Sequence, residues 1–405
     1  MKNKSTALIT ILCIVFVTGM AVLSTPEDAD AIPAFARKYN MSCTTCHAPF
    51  PRLKAYGDEF AGNGFVLADQ DAPRYYVGTG DDKLSLIRDF PFAMRFEGFI
   101  SHHTETDREV DLSTPYNIKL LSGGAISDNV AYYLYFFMSE RGEVAGLEDA
   151  FIMFNNLFGT ELDAYVGQFQ ISDPLFKREL RLTYDDFQIY RKKVGESNLN
   201  LTYDRGIMLT YGFESGTDII FEVLNGAGLN HADDFRVYDT DKYKNVVGRI
   251  SQDIGENLRL GVFGFYGKEG RTIEDTLTGP FFSTNKVWMA GPDATISYKD
   301  VFELNLQYME RRDDNPMFMS TIPDEEIETR GGLIECNILP QGDRSPWYFT
   351  GLFNYVESDV DINEYRTITG HIGHVFRTNM RFIFENTYDI ENEENRFMVG
   401  VITAF

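Results

Sequence analysis

Cysteine is scarce in this sequence, which has four in 405 residues. Cys13 lies in an N-terminal apolar stretch that we expect to be removed, and Cys43 and Cys46 belong to one short motif. Only Cys336 remains for any other cross-link. A framework of disulfide bonds is therefore excluded, and an exported protein of this length must be stabilised by other interactions.

Basic charge and long apolar runs are also in short supply. The chain has 37 Lys and Arg residues and 61 Asp and Glu residues. The resulting formal net charge of −24 excludes nucleic acid as a partner. Beyond residue 31, no apolar run approaches the ~20 residues that a membrane-spanning helix requires. Aromatic residues nevertheless reach 14% of the chain. Many aromatic residues without apolar blocks indicate that apolar and polar side chains alternate.

The first 31 residues have the three parts of a secretory signal peptide. Lys2 and Lys4 precede an apolar run from Ala7 to Leu23, and the small residues of Ala29-Asp30-Ala31 follow. We therefore expect cleavage after Ala31 and export of the remaining chain. The alternative is an uncleaved membrane anchor, because the apolar run is long for a signal peptide.

The most specific motif is Cys43-Thr44-Thr45-Cys46-His47. Two thiols at this spacing can each add to a vinyl group of one haem, and the histidine that follows can ligate the iron. The alternatives are a zinc knuckle and a redox pair, but the chain lacks the cysteines for a four-cysteine zinc site. We predict one covalent haem c, with thioethers to Cys43 and Cys46 and with His47 as the proximal iron ligand.

Residues 32–87 are predicted to form a small haem module with one short helix near Arg52–Phe60. This segment is too short to bury a haem by itself, so the following domain, residues 88–405, is expected to supply the other wall of the site. The sixth iron ligand is left open by the motif, because cytochromes use Met or a second His there and an open site also occurs.

From Phe90 onward, stretches of about ten residues alternate apolar and polar side chains. Phe92–Glu97, Phe302–Tyr308 and Met380–Glu385 show this period of two, which is typical of strands with different environments on their two faces. Short turns alternate with longer, mostly acidic connectors, and together they separate sixteen strands. The longer connectors are predicted at residues 103–113, 142–147, 171–202, 227–242, 268–284, 311–327, 358–363 and 390–395.

This pattern predicts an all-β fold, a 16-stranded antiparallel transmembrane β-barrel with a small N-terminal haem-binding segment. Short turns in the periplasm and long loops outside the cell are the arrangement of bacterial outer-membrane barrels. A soluble β-sandwich is the alternative, but a large and even number of strands favours a closed barrel without edges in lipid. The final strand, with Phe397, Val399, Val401 and Phe405, resembles the aromatic terminal strand of such barrels.

The third long loop, residues 171–202, is the most basic stretch of an acidic chain. Its position after the fifth strand resembles that of the inward-folded loop of sixteen-stranded porins, and Tyr165–Phe169 resembles phosphate-selective and related porins. We predict a pore constriction with a local preference for anions, although a surface loop with mutually paired charges would have the same composition. Its basic residues are Lys177, Arg178, Arg181, Arg191, Lys192 and Lys193.

His371 is the leading candidate for the sixth iron ligand. Thr367, Thr369 and His371 share the parity that should face the lumen, whereas Ile368 and Ile372 suit lipid. This strand descends toward the periplasm, so His371 is predicted in the half of the pore nearer the haem module. The alternative is a polar lumen residue without iron contact.

The motifs together resemble outer-membrane channel proteins with a single c-type haem, found in metal-reducing and related anaerobic bacteria. The resemblance rests on Cys43–His47, on Phe35-Ala36 and Gly57–Phe65 beside it, on Leu147–Phe151 and on Gly167–Phe169. It implies a role in respiratory electron flow at the cell envelope and names no substrate. Two alternatives stay open: a passive diffusion porin with the haem module as a structural plug, and a haem enzyme with an open iron. An electron carrier or channel is favoured over an enzyme, because no distal acid–base group accompanies the motif.

The resemblance also implies a location and partners. The barrel is expected in the outer membrane, with the haem module on its periplasmic side or in its lumen. Outer-membrane lipid, periplasmic or extracellular c-type cytochromes, and small solutes or ions in the pore are the expected partners, and a homo-oligomer is left open. Because one haem does not bridge an apolar band about 25 Å tall, transmembrane electron transfer would need partner haems.

Overall fold

The computed structural model describes most of the chain after the predicted signal peptide. The described residues are 34–67, 80–81, 83–84, 86–87, 90–104, 110–274, 279–323, 325–360 and 363–405. The predicted cleavage site and Cys13 lie outside them. None of the helices within these ranges has the length and apolar character needed to span a membrane.

Sixteen antiparallel strands form one closed barrel, in which each strand pairs with its sequence neighbours and β1 pairs with β16. The strands are β1 Phe92–His103, β2 Val110–Ser127, β3 Val130–Glu140, β4 Gly146–Leu157, β5 Leu162–Gln170, β6 Tyr203–Gly212, β7 Thr217–Leu224, β8 Asn245–Ile254, β9 Leu258–Ile273, β10 Phe281–Tyr298, β11 Phe302–Asp313, β12 Ile327–Ile338, β13 Trp347–Ser358, β14 Tyr365–Arg377, β15 Met380–Asp389 and β16 Glu394–Ala404. The predicted sixteen-stranded barrel is confirmed. Closure leaves the sheet without a free edge, as lipid requires.

The predicted loops 103–113 and 268–284 overlap the strands most. Residues 268–273 and 281–284 belong to the long strands β9 and β10, and β2 begins at Val110 within the predicted loop 103–113. The end of β9 reads Lys-Glu-Gly-Arg-Thr-Ile, without the apolar alternation of the other strands. Strands of 16 and 18 residues exceed the ~9–11 needed to cross the membrane. Their ends therefore need no apolar outer face, and alternation does not mark them.

Side-chain alternation separates the two faces of the wall as expected. In β14, Thr367, Thr369 and His371 are buried inside the barrel, whereas Ile368 and Ile372 are exposed on its outer surface. The lumen therefore receives polar side chains on this side of the barrel, and the outer face is apolar.

Residues 34–67, here called the N-terminal segment, contain two short helices, α1 Ala34–Tyr39 and α2 Ala55–Gly62. The rings of Phe35 and Phe65 stack with centroids 4.7 Å apart, and Phe60 packs edge-on against Phe35 at 5.4 Å. The predicted boundaries of the haem module and barrel, 32–87 and 88–405, stay predictions, because residues 68–91 are described only in part.

The N-terminal segment lies inside the end of the barrel that carries the short turns. Lys54 forms an ion pair of 2.9 Å with Asp343, in the turn between β12 and β13. Arg52 pairs with Glu303, near the start of β11. At Gly64, which has a φ of +67°, a Cβ atom would lie 2.8 Å from the Cβ of Ala131 on β3. This close approach requires glycine.

Candidate functional site

A cavity of about 530 Å³ lies between the N-terminal segment and the barrel wall. Cys43, Cys46 and His47 line one side of it. Aromatic and apolar residues of the barrel line the other side, among them Tyr133, Tyr135, Phe151, Met153, Tyr165 and Phe169. A concave site of this volume, mostly apolar with a few polar groups, is typical of cofactor sites.

The ring of His47 is oriented by the loop that follows the motif. Its Nδ1 lies 2.9 Å from the carbonyl oxygen of Pro51 and 3.3 Å from that of Arg52. A carbonyl oxygen only accepts hydrogen bonds, so Nδ1 carries the proton and Nε2 keeps its lone pair. Burial lowers the pKa of His47 and favours this neutral form. Metal-bound histidines have this same arrangement, with the second ring nitrogen donating to a carbonyl group.

The two thiols of the motif are unpaired. Cys43 is half-buried and Cys46 is buried, and neither forms a disulfide. Burial raises the pKa of both thiols. Cysteine pairs that act in thiol–disulfide exchange have lowered pKa values, so this environment disfavours the redox-pair interpretation.

Helix α2 holds the motif loop in place through a close backbone contact. The N–H group of Lys54 donates to the Cys46 carbonyl oxygen at 2.8 Å. A Cβ atom at Gly57 would lie 2.4 Å from the same oxygen. Helix α2 can therefore pack on the motif loop only because residue 57 has no side chain.

The third long loop has the predicted bounds, 171–202, and it folds into the barrel. The N–H groups of Tyr184 and Asp185 donate to the carboxylate of Glu385 on β15, at 2.7 and 3.0 Å. The side-chain amide of Asn354 on β13 donates to Asp185 at 3.0 Å. Since the loop starts from β5, these bonds show that it crosses the lumen to the opposite wall.

The loop also packs in an apolar core inside the barrel. Phe187, Ile189, Tyr190, Leu199 and Leu201 are buried against inward-facing residues of β5 to β13. Strict alternation of apolar and polar residues marks only one apolar face on each strand, so it does not predict this core. The available signal is a strand with both faces apolar, such as β9, where Phe263 and Phe265 face inward and Leu260 and Val262 face outward.

Three arginines of the loop surround one carboxylate. The guanidinium nitrogens of Arg178, Arg181 and Arg191 lie 2.5, 3.6 and 3.3 Å from the Asp186 oxygens. Burial alone would raise the pKa of Asp186, but these cations hold it well below its usual range. This arginine triad lines a second cavity of about 1280 Å³. This cavity, here called the vestibule, lies between the third long loop and the end of the barrel that carries the long loops.

Comparisons with known proteins identify the fold. No protein-family model matches the chain, and no curated protein matches it. Among solved structures, OmpT of Vibrio cholerae is similar with a TM-score of 0.53 and 9% identity, over 80% of this chain and 100% of that one. An anion-selective porin from Comamonas acidovorans has a TM-score of 0.54 and 10% identity, over 78% and 99%. The outer-membrane channel DcaP of Acinetobacter baumannii has a TM-score of 0.51 and 11% identity, over 78% and 97%.

The chain has the porin fold. At these identities the likeness concerns the fold alone. The solved porins are covered almost completely, whereas about a fifth of this chain is left unmatched. The N-terminal segment precedes β1 and is additional to the sixteen strands that define the barrel. Its contact with the barrel wall forms the cavity.

In this porin fold, the other basic residues of the third long loop lie apart from the arginine triad. Lys177 forms an ion pair of 2.7 Å with Asp58 of α2 and so links the third long loop to the N-terminal segment. Lys192 lies 5.2 Å from the centre of the Tyr365 ring, and Lys193 is exposed. The six basic residues therefore do not share one environment, and their predicted role as a joint pore constriction stays a prediction.

His371 is buried in the lumen with a protein partner at each ring nitrogen. Its Nδ1 lies 2.8 Å from Glu385, and its Nε2 lies 3.3 Å from the Tyr348 hydroxyl. To bind iron through Nε2, His371 would have to lose its hydrogen bond with the Tyr348 hydroxyl. Its role as an iron ligand stays a prediction. Met153 and Met208 line the cavity beside His47, and no local pattern in the sequence predicted them there.

Proposed function

We propose that this chain is a porin-like barrel of the outer membrane that carries one covalent haem c and takes part in electron transfer at the cell envelope. One observation carries the proposal: both thiols of the CxxCH motif line an apolar cavity together with His47. The Nδ1 of His47 is already bonded to the Pro51 carbonyl, which leaves Nε2 for a metal.

The residues of the cavity fit this group. Cys43 and Cys46 would form the thioethers, and Nε2 of His47 would be the proximal ligand. When bound, haem c supplies one-electron transfer. The ion pairs of Lys54 and Lys177 hold the N-terminal segment against the turns and the third long loop. On this proposal the short-turn end faces the periplasm and its electron-transfer partners.

The experiment is a haem stain of the full-length protein, produced in a host that matures c-type cytochromes. We expect a stained band on a denaturing gel for the wild type and for Cys336→Ser, and none for the Cys43→Ser/Cys46→Ser double variant. A colourless wild-type protein would overturn the proposal. Spectra of the reduced protein with carbon monoxide add the coordination state: an unchanged spectrum fits an electron carrier, and a shifted one supports the haem-enzyme alternative.

A second candidate function is passage of small solutes or ions, with membrane lipid around the barrel. The porin fold supports it, and so does the excess of positive charge where three arginines share Asp186. A related solved structure is described as an anion-selective porin. The structural-plug alternative belongs here too, because ion pairs fix the N-terminal segment in the barrel end.

Replacing Arg191 by Gln is expected to lower the preference for anions. Arg191 lines the vestibule and is partly exposed, so its loss leaves the buried Arg178–Asp186 pair intact. Charge reversal at Arg178 is less informative, because a buried carboxylate there would face Asp186 and unfold the loop. Reversal potentials in planar bilayers under a salt gradient measure the effect. Lys193→Gln is the matched control, and equal potentials for the two variants would contradict a constriction at the arginine triad.

A further inference from the structure

Two consecutive acidic residues of β4, Glu148 and Asp149, both lie on the inner side of the barrel. Tyr135 of β3 pairs with Asp149 and Phe136 pairs with Leu147, so the register shifts at Glu148 and the strand bulges. A regular strand would turn one of two consecutive side chains toward lipid. Bulges re-aim side chains in this way beside functional sites.

Neighbouring elements add further carboxylates to this pair. The charged groups that act on Asp149 are Asp173, Glu148 and Glu179. Those that act on Glu222 of β7 are Asp173 and Asp204. We call Glu148, Asp149, Asp173 and Glu222 the acid cluster.

The cations around the acid cluster already have partners of their own. Lys119 bonds to Glu179 at 2.8 Å, Lys177 bonds to Asp58 at 2.7 Å, and Arg178 bonds to Asp186 at 2.5 Å. The charged groups that face the acid cluster from the surrounding elements are Lys119, Glu140, Lys177, Arg178, Glu179 and Asp204. Each of these three cations therefore has its shortest ion pair with a carboxylate outside the acid cluster.

Polar atoms without a hydrogen-bond partner are concentrated here. They are Oδ1 of Asp149, both carboxylate oxygens of Glu222 and the hydroxyl group of Ser172. Glu222 and Ser172 are fully buried. An ionised carboxylate without a partner is costly in such a place, and a bound proton removes that cost. Burial raises the pKa of Asp173 to about 6, although Lys177 acts in the opposite direction.

The acid cluster lies between the two cavities. Asp149 and Asp173 line the cavity that also contains Cys43, Cys46 and His47. Glu148 and Tyr203 line the vestibule on the other side. The bulge in β4 thus places one acidic side chain at each cavity.

We propose that the acid cluster is a proton-binding site that takes up a proton from the vestibule when an electron enters the haem cavity. This inference rests on the proposed haem function. With haem bound, an external one-electron donor such as a reduced cytochrome would supply the electron, and one carboxylate of the acid cluster would bind one proton from vestibule water. Both leave again on oxidation. The coupling follows because a negative charge added in a poorly screened interior favours the protonated form of nearby acids.

The test is the haem midpoint potential of the full-length holoprotein, measured from about pH 5 to pH 8. We expect the midpoint potential to fall as pH rises. If one proton is bound for each electron, the slope reaches its limit of about 59 mV for each tenfold change in proton concentration. In Asp149→Asn and Glu222→Gln the slope should fall to roughly half or less, while the exposed control Glu357→Gln keeps the wild-type slope. A pH-independent wild-type potential, or equal slopes in all variants, would overturn the proposal.

Infrared spectroscopy of the unmodified protein supplies a measurement that needs no variant. A carbonyl band of protonated carboxylic acid is expected at neutral pH, and it should change between oxidised and reduced protein. A haem-loaded protein without any carboxylic-acid change on reduction contradicts proton uptake by the cluster. A haem-free wild-type protein that retains the static band contradicts the proposed haem function, yet supports a protonated cluster, so the two failures are distinguishable.

Discussion

Gly57→Ala is expected to cut the covalent haem content of the protein to roughly a tenth or less. The added Cβ would lie 2.4 Å from the Cys46 carbonyl oxygen and 3.0 Å from the Cα of the same residue. Both contacts are with backbone, so α2 or the motif loop must move. Overpacking of this kind costs about 1–3 kcal/mol. This cost shifts the equilibrium from the packed toward the displaced motif loop, by a factor of ten for each ~1.4 kcal/mol. Displacement of the loop separates the two thiols from the cavity wall.

Gly62→Ala in the same helix is the matched control. No atom lies within 4 Å of a Cβ built at Gly62. Alanine is a better helix former than glycine, so this variant should keep its haem and its stability. Haem stain per unit of protein, quantified for both variants, is the measurement. Equal haem content in Gly57→Ala and Gly62→Ala would show that the packing of α2 on Cys46 does not support the cofactor site.

Glu385→Ala is expected to release the third long loop and to increase pore conductance. Glu385 is 1% exposed and accepts hydrogen bonds from the N–H groups of Tyr184 and Asp185. It also accepts one from His371 at 2.8 Å. Removing the carboxylate leaves three buried donors without their acceptor, and breaking such a buried network costs about 3–5 kcal/mol. Because these bonds join the loop to the far wall, their loss loosens the part of the loop that crosses the lumen, although Asn354 still bonds to Asp185.

Two measurements check this outcome. Single-channel conductance in planar bilayers should rise, and the temperature at which the barrel loses its heat-modifiable gel migration should fall. Glu357→Ala removes an exposed carboxylate whose ion pair with Arg330 is at 3.0 Å. Water screens that pair, so the control should behave as the wild type does. If conductance is the same in Glu385→Ala and Glu357→Ala, Glu385 does not hold the loop across the pore.

Local features of the chain could be predicted because they depend on residues near one another in sequence. The spacing of Cys43, Cys46 and His47 is local, and it is the spacing that covalent haem attachment would require. The period of two in the strands assigns Thr369 and His371 to the lumen and Ile372 to the outside, and the structure places them there. Alternating connector lengths predict the strand number and the bounds of the third long loop, since each turn lies within a few residues of the strands it joins.

Partners across the barrel could not be predicted in this way. Lys177 and Asp58 are 119 positions apart, and Tyr184 and Glu385 are 201 apart. Such pairs depend on how the sixteen strands close into a barrel and on where the loop enters the lumen. Neither can be predicted from a local sequence pattern. The predicted basic constriction therefore separates into an arginine triad on Asp186, an anchor to the N-terminal segment, a lysine beside the Tyr365 ring and an exposed lysine.

The sequence by itself determined the spacing of the CxxCH motif, the closed sixteen-stranded architecture and the two faces of each strand, because residue spacing and period two are local properties. Only the tertiary structure decided that a bulge turns Glu148 and Asp149 inward together, and that α2 needs Gly57 to pack on Cys46. It also decided that an apolar core joins the third long loop to the inner wall. The reason is that a side chain's environment in the lumen is set by elements far away in sequence, which meet only when the barrel closes.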